Sequence, residues 1–85
     1  MPIATTPTPN PNALKFTVGV PIGGPGTVVK GAASDDVFAA ELVALDGVTS
    51  VFFTADFVTI SKSAEASWDQ ITQEATAILE SHFGA

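Results

Sequence analysis

The sequence predicts a two-layer α+β sandwich, in which a four-stranded, mainly antiparallel sheet carries two helices on one face. Three observations predict this class. Four segments have the alternation or composition of β-strands, two segments have the apolar spacing of helices, and each helix has only one apolar side. The elements follow the order ββαββα. Placing both helices on one face of the sheet buries the apolar surfaces in two layers.

Length and composition allow one domain with a modest core. The 85 residues are 46% hydrophobic, which is above the composition of disordered chains, and they leave no room for a second domain. Residues 1–12 hold four of the six prolines. Because proline favours extended geometry in the residue before it, we expect an extended, Pro-rich N-terminal arm there. Residues 13–85 then form a single α+β domain.

The strands are predicted from alternating apolar residues and from β-branched and aromatic residues. In the first strand Leu14, Phe16 and Val18 alternate with polar residues, the pattern of a half-buried strand. The last two strands flank the short segment 54–56, an arrangement typical of a hairpin. The four predicted strands cover residues 13–18, 27–30, 48–53 and 57–62.

The two helices are predicted from capping residues and from apolar stripes. The first runs from Ser34, a good N-cap, to Gly47, and the second runs from the N-cap Ser67 to Gly84. The stripes consist of Phe38, Leu42 and Leu45 in the first helix and of Trp68, Ile71, Ala75, Ile78 and Leu79 in the second.

Charge and composition exclude several classes of function. The net charge is −6, with only three cations and no arginine, so the chain lacks the positive charge that nucleic-acid binding requires. There is no cysteine to supply thiolate ligands, and the single histidine, His82, does not make a zinc site alone. We expect no catalytic residue, no metal site and no bound cofactor. No segment has the apolar length of a membrane span.

One face of the predicted sheet is left open by the helices, and the hairpin determines which aromatic residues lie on it. A three-residue loop places Phe53 on the same face as Phe57, because cross-strand partners share a face. A four-residue loop exchanges Phe52 with Phe53. In both cases Phe57 and Thr59 lie opposite the aliphatic core positions. We therefore expect Phe57 and one of the two neighbouring phenylalanines on the open face, together with Lys15.

The asparagines near the start of the first strand have two interpretations. Asn10 and Asn12 tolerate turn geometry, so they can fix the angle at which the strand begins. Both amides are also expected near Lys15 at one end of the sheet, where they would contact a partner. The candidate partner-binding residues are Asn10, Asn12, Lys15, Phe53, Phe57 and Thr59.

Two segments carry a family resemblance. Residues 8–16 read Thr-Pro-Asn-Pro-Asn-Ala-Leu-Lys-Phe, and residues 50–62 read Ser-Val-Phe-Phe-Thr-Ala-Asp-Phe-Val-Thr-Ile-Ser-Lys. The first resembles the opening of the N-terminal domain of Nfu/NifU-type iron–sulfur scaffold proteins, and the second is similar to the hairpin of that domain. Trp68 follows at about the position of a family tryptophan. The resemblance covers residues 8–83 and implies the same ββαββα arrangement.

The resemblance implies a function without cluster chemistry in this chain. In the full family proteins a separate C-terminal domain with a Cys-x-x-Cys motif holds the cluster, and this chain contains no cysteine. The N-terminal domain is regarded as an accessory, partner-contacting module. We therefore expect a non-enzymatic interaction module of iron–sulfur cluster assembly or delivery. Its expected partners are iron–sulfur carrier or client proteins, bound through the open face.

Two other functions stay open at this stage. An orphan domain with a structural or regulatory role outside cluster biology would have no cluster-assembly protein among its partners. A self-associated form would bind a metal or cluster directly through oxygen or histidine ligands, although cluster iron prefers thiolate. We expect a monomer or a weak dimer, since an open sheet edge permits pairing. The first residues lack the features of a signal peptide, so the expected location is cytoplasmic.

Overall fold

The computed structural model describes residues 3–31 and 37–83. Its strands are β1 (Ala4–Pro7), β2 (Ala13–Thr17), β3 (Gly26–Val29), β4 (Val48–Thr54) and β5 (Phe57–Lys62), and its helices are α1 (Val37–Val43) and α2 (Trp68–Phe83). All five strands form one antiparallel sheet in the order β1-β2-β5-β4-β3. The α+β class is confirmed.

The prediction of four strands in the order ββαββα is wrong in one respect, because the arm contributes a fifth strand. Ala4–Pro7 pairs with β2 through the registers Ala4↔Thr17 and Pro7↔Leu14. All four residues of β1 are exposed, so the segment lacks the buried alternation by which strands are recognised in a sequence. Proline is compatible with this position because β1 is an edge strand, where a missing N–H is tolerated.

Both helices pack on the same face of the sheet. The buried residues of α1 and α2 join those of the strands in one core, which consists of Phe16, Val18, Val28, Phe38, Ala39, Leu42, Val43, Val48, Val51, Phe53, Val58, Ile60, Ile71, Ala75 and Leu79. Along β2, β4 and β5 these buried positions alternate with less buried ones. The predicted two-layer arrangement, with one covered face and one open face, is therefore confirmed.

The helix boundaries differ slightly from those expected. Helix α1 ends at Val43 rather than at Gly47, and its last turn tightens where the Leu45 N–H donates to the Leu42 carbonyl at 3.2 Å. The expected N-cap, Ser34, lies outside the described residues. In α2 the expected cap is confirmed, since the Ser67 hydroxyl accepts the N–H of Asp69 at 3.2 Å.

The hairpin between β4 and β5 has a two-residue turn, shorter than either loop that we considered. Its register pairs Thr54 with Phe57 and Phe53 with Val58. Phe53 therefore lies on the covered face, where only 3% of its surface is exposed. The expectation of Phe53 on the open face is wrong. A change of one residue in loop length moves every side chain of a strand to the opposite face, and the open-face position belongs to Phe52.

Gly47 connects α1 to β4 at a position where a side chain does not fit. Its φ is +88°, and an added Cβ would lie 2.5 Å from the Cβ of Ala66. The Gly47 carbonyl also accepts the Ser63 N–H at 2.8 Å. The corner before β4 therefore packs directly against the connection between β5 and α2.

The register predicts that truncating two adjacent phenylalanines destabilises the fold to very different extents. Phe53→Ala removes a buried ring whose centroid lies 5.0 Å from that of Phe38, and we expect it to lower the free energy of unfolding by about 3–5 kcal/mol. Phe52→Ala, on the open face, should lower it by about 1 kcal/mol or less. Urea denaturation measures both. Equal losses, or a larger loss for Phe52→Ala, would contradict the register.

Gly47→Ala should be more destabilising than Gly19→Ala. Both glycines have a φ of +88°, but an added Cβ at Gly19 meets nothing within 4 Å. Gly19→Ala therefore measures backbone strain alone, roughly 1–2 kcal/mol. Gly47→Ala should cost about 1–3 kcal/mol more because the methyl group overlaps Ala66. Thermal denaturation measures the loss of stability in both variants. Equal losses would mean that the connection at Ala66 moves aside without cost and would contradict the prediction.

Candidate functional site

The open face is the face of the sheet that lies opposite α1 and α2. It carries Lys15 and Thr17 from β2, Thr27 and Val29 from β3, Phe52 and Thr54 from β4, and Phe57, Thr59 and Ser61 from β5. Hydroxyl side chains dominate this surface, with aromatic rings on the two adjacent strands β4 and β5. Since aromatic residues are enriched in the cores of protein interfaces, this face is the candidate functional site.

Three of the predicted site residues lie together on the open face. Lys15 pairs with Thr59 across β2 and β5, and Thr17 pairs with Phe57. The Lys15 ammonium lies 4.4 Å from the centroid of the Phe57 ring, within the range of a cation–π contact. The contact orders the lysine chain over an aromatic ring. It thereby gives this part of the face an apolar surface with one positive charge.

Two further apolar residues on this face were not among the predicted site residues. Phe52 is 38% exposed and Val29 is 51% exposed. Phe52 lies beside Thr27 of β3 on one side and Thr59 of β5 on the other. Phe52 was one of the two alternatives left open by the loop length. Nothing in the sequence marks Val29 as an exposed residue, because its exposure depends on the position of β3 at the edge of the sheet.

Charge is distributed unevenly between the two layers. None of the strands in the described part of the chain contains a carboxylate, and Asp56 lies in the turn between β4 and β5. The other described acids, Glu41, Asp46, Glu65, Asp69, Glu74 and Glu80, lie in the helices or in the connections next to them. Although the chain has a net charge of −6, its open face is neutral except for Lys15.

Asn10 and Asn12 hold the turn before β2. The side-chain oxygen of Asn10 accepts the N–H of Asn12 at 2.9 Å, and the Asn10 carbonyl accepts the N–H of Ala13 at 3.0 Å. The side-chain oxygen of Asn12 accepts a hydrogen bond from the Lys62 ammonium at 3.1 Å. These bonds give both asparagines a structural role, as the turn interpretation requires.

Trp68 connects the same turn to the helical layer. Its indole N–H donates to the Pro11 carbonyl at 3.0 Å, and the Lys62 ammonium lies 5.7 Å from the centroid of its ring. The start of α2, the end of β5 and the turn before β2 therefore meet at one end of the molecule. Sequence reasoning did not find this junction, because its residues are distant along the chain.

His82 has an acidic partner that no local motif indicates. Its Nε2 lies 2.9 Å from a carboxylate oxygen of Glu41, so this polar contact joins the end of α2 to α1. Both side chains are partly exposed, and such pairs contribute little to stability. Within residues 3–31 and 37–83, no group of three or more histidine, aspartate or glutamate side chains is arranged to hold a metal ion. No helix in these ranges is long and apolar enough to span a membrane.

The contact between Lys15 and Phe57 should be measurable as a coupling energy. We expect a double-mutant cycle with Lys15→Met and Phe57→Leu to give about 0.5–1 kcal/mol, the range for an exposed cation–π pair. Methionine keeps most of the apolar chain, so the cycle isolates the charge. Strictly additive losses in urea denaturation would show that the ammonium does not interact with the ring in solution.

Comparison with known proteins identifies the family. The profile described as "Scaffold protein Nfu/NifU N terminal" matches residues 3–85. The mitochondrial NFU1 iron–sulfur cluster scaffold homologue of Drosophila willistoni is 40% identical over 87 residues, which cover 98% of this chain and 30% of that protein. The Drosophila persimilis homologue is 39% identical over 87 residues, with 98% and 31% covered. The chain thus spans about three-tenths of the length of these curated relatives.

Solved structures agree with the sequence match. The crystal structure of protein SAV1430 from Staphylococcus aureus superposes with a TM-score of 0.80 and 29% identity, covering 94% of this chain and all of that one (100%). The solution structure of a NifU-like protein from Saccharomyces cerevisiae has a TM-score of 0.74 and 26% identity, covering 96% and 77%. Because the profile and the fold agree over nearly the whole chain, this chain belongs to the family of Nfu/NifU scaffold protein N-terminal domains.

Proposed function

We propose that this chain is a non-enzymatic protein-interaction module of iron–sulfur cluster assembly or delivery. It docks iron–sulfur carrier or client proteins through the open face. The observation that carries the proposal is the pair of aromatic side chains, Phe52 and Phe57, on a sheet face that neither helix covers. In many protein interfaces a few buried anchor residues, often aromatic, cause most of the loss of binding free energy when they are truncated.

The charge distribution favours the open face, rather than the helical layer, as the docking surface. A partner that approached α2 would meet Asp69, Glu74 and Glu80, and charged groups lose hydration when an interface forms over them. A partner on the open face meets hydroxyl groups, aromatic rings and one lysine. The desolvation cost is therefore lower on the face that carries Phe52 and Phe57 than on the exposed side of α2.

The cluster-related part of the proposal comes from the relatives. The Drosophila proteins are named iron–sulfur cluster scaffolds and are about three times as long as this chain. This chain contains no cysteine, and iron–sulfur clusters are held mainly by thiolates. The module therefore acts on cluster transfer through its partners. The expected cytoplasmic location stays a prediction, whereas the Drosophila relatives are named as mitochondrial proteins.

Affinity capture tests the proposal with the tagged wild-type chain beside Phe57→Ser and Phe52→Ser. Mass spectrometry of an extract from the source cells should recover a cysteine-bearing Nfu-type protein, a cluster scaffold or a cluster-dependent client. Loss of an aromatic anchor costs about 2 kcal/mol, so binding of the purified partner should weaken about 30-fold in each variant.

The matched control is Val37→Ser, which removes an apolar side chain that is 62% exposed on α1, in the other layer. This variant should capture the same proteins as the wild type. Circular dichroism must show that all three variants stay folded. Recovery of unrelated proteins alone would assign the chain to a role outside cluster biology, and undiminished binding by both phenylalanine variants would exclude the open face.

A further inference from the structure

The two edges of the sheet offer different backbone groups to a partner. At the β3 edge, the N–H of Lys30 donates to the carbonyl of Thr49 at 3.0 Å, in continuation of the register Val28↔Val51. Hydrogen bonding alternates along an antiparallel pair, so Gly26 and Val28 bond to β4. Thr27 and Val29 direct their N–H and C=O groups away from the sheet. No backbone hydrogen bond outside the β3–β4 ladder engages them within the described part of the chain.

The β1 edge is less receptive to another strand. The bonds from Lys62 N–H to the Asn12 carbonyl at 2.8 Å and from Val18 N–H to the Asp56 carbonyl at 2.7 Å fix the alternation along β2. Ala4 and Thr6 consequently face β2, and Thr5 and Pro7 face outward. Pro7 has no N–H, which leaves Thr5 as the outward donor of this strand. A proline at this position protects an edge from strand addition.

Exposed apolar side chains also concentrate at the β3 edge. Val29 and Phe52 are the two large apolar residues of the strands with more than a third of their surface exposed, and they lie on β3 and on its neighbour β4. The open-face charge, Lys15, is three strands away, at roughly 14 Å. The Lys30 ammonium donates to the Leu45 carbonyl at 2.9 Å. Lys30 directly follows β3, and this contact holds its ammonium at the connection between α1 and β4.

We propose that β3 binds an extended, positively charged segment of a partner protein by strand addition. The segment pairs with the N–H and C=O groups of Thr27 and Val29. Its alternate side chains, apolar or β-branched, continue the open face beside Val29. This inference rests on the proposed function for the identity of the partner and adds the mode of binding.

The net charge of the chain favours a basic partner segment over a second copy of the chain at the β3 edge. A second copy of the chain would bring two molecules of net charge −6 together, and the like charges would repel. A basic segment is attracted by the same net charge. A four-residue edge, about 13 Å long, also matches a short peptide strand better than the large surface that a stable homodimer requires.

The test uses a synthetic octapeptide, Lys-Thr-Val-Thr-Val-Thr-Val-Lys, with blocked ends, titrated into the full chain at low ionic strength. Hydrogen exchange followed by NMR should show at least tenfold slower exchange of the Thr27 and Val29 amides at saturation. The same peptide with glutamate at both ends should bind at least threefold more weakly. Thr27→Pro removes one outward donor and should weaken binding of the basic peptide at least tenfold.

Thr5→Pro is the matched control, since it places the same substitution at an outward position of the opposite edge and should leave binding unchanged. Val29→Lys is a second variant in case Thr27→Pro does not fold, and it should weaken binding at least fivefold by repulsion. The inference would be overturned if 1 mM peptide left the hydrogen exchange of the Thr27 and Val29 amides unchanged. It would also be overturned if Thr5→Pro weakened peptide binding as much as Thr27→Pro does.

These experiments distinguish a failure of strand addition at β3 from a failure of the proposed function. Phe57 lies on β5, with β4 between it and β3, so Phe57→Ser should retain binding of the octapeptide. Binding of the natural partner that is lost in Phe57→Ser but kept in Thr27→Pro and Val29→Lys would uphold the open face and overturn strand addition. Peptide binding at β3 without any cluster-assembly partner would uphold strand addition and overturn the proposed function.

Discussion

The two-residue turn between β4 and β5 is the constraint on which the sheet depends. Ala55 has a φ of +52°, in the left-handed region that residues other than glycine seldom occupy. The turn is held by the neighbouring chain, because the Asp56 carbonyl accepts the Val18 N–H at 2.7 Å and the Ala55 carbonyl accepts the Ile22 N–H at 2.8 Å. These bonds fix the turn length, and the turn length fixes which side chains of both central strands are buried.

The covered side of the hairpin, in turn, positions the helices. With Phe53 directed inward, its ring makes an edge-to-face contact with Phe38 of α1 at 5.0 Å, and Phe38 makes another with Phe83 of α2 at 5.1 Å. Such pairs have a geometric preference beyond the burial of area. The same register places Phe52 and Phe57 outside. The core and the candidate binding surface are therefore two consequences of one register.

The sequence predicts those parts of the fold that depend on local periodicity. Alternation along β2 and the apolar stripe of α2 identify buried positions without knowledge of their partners, and Ser67 marks the start of α2. Strand β1 has no buried residue and is defined only by its pairing with β2. The hairpin register needed the turn conformation, which Ala55 does not reveal by residue type. The contact between His82 and Glu41 spans 41 residues of sequence, and no local pattern indicates it.

At the candidate site, the residue types predicted correctly some of the side chains that lie on the open face, but they did not predict which of the candidate residues have a structural role. Lys15, Phe57 and Thr59 share the open face, whereas Asn10 and Asn12 are engaged in the turn before β2. The acids of the described chain lie outside the strands, so the strongly negative sequence folds with an almost uncharged sheet face. The two surfaces proposed for partner binding, the open face and the β3 edge, are continuous, because the aromatic rings and the outward backbone groups lie on adjacent strands.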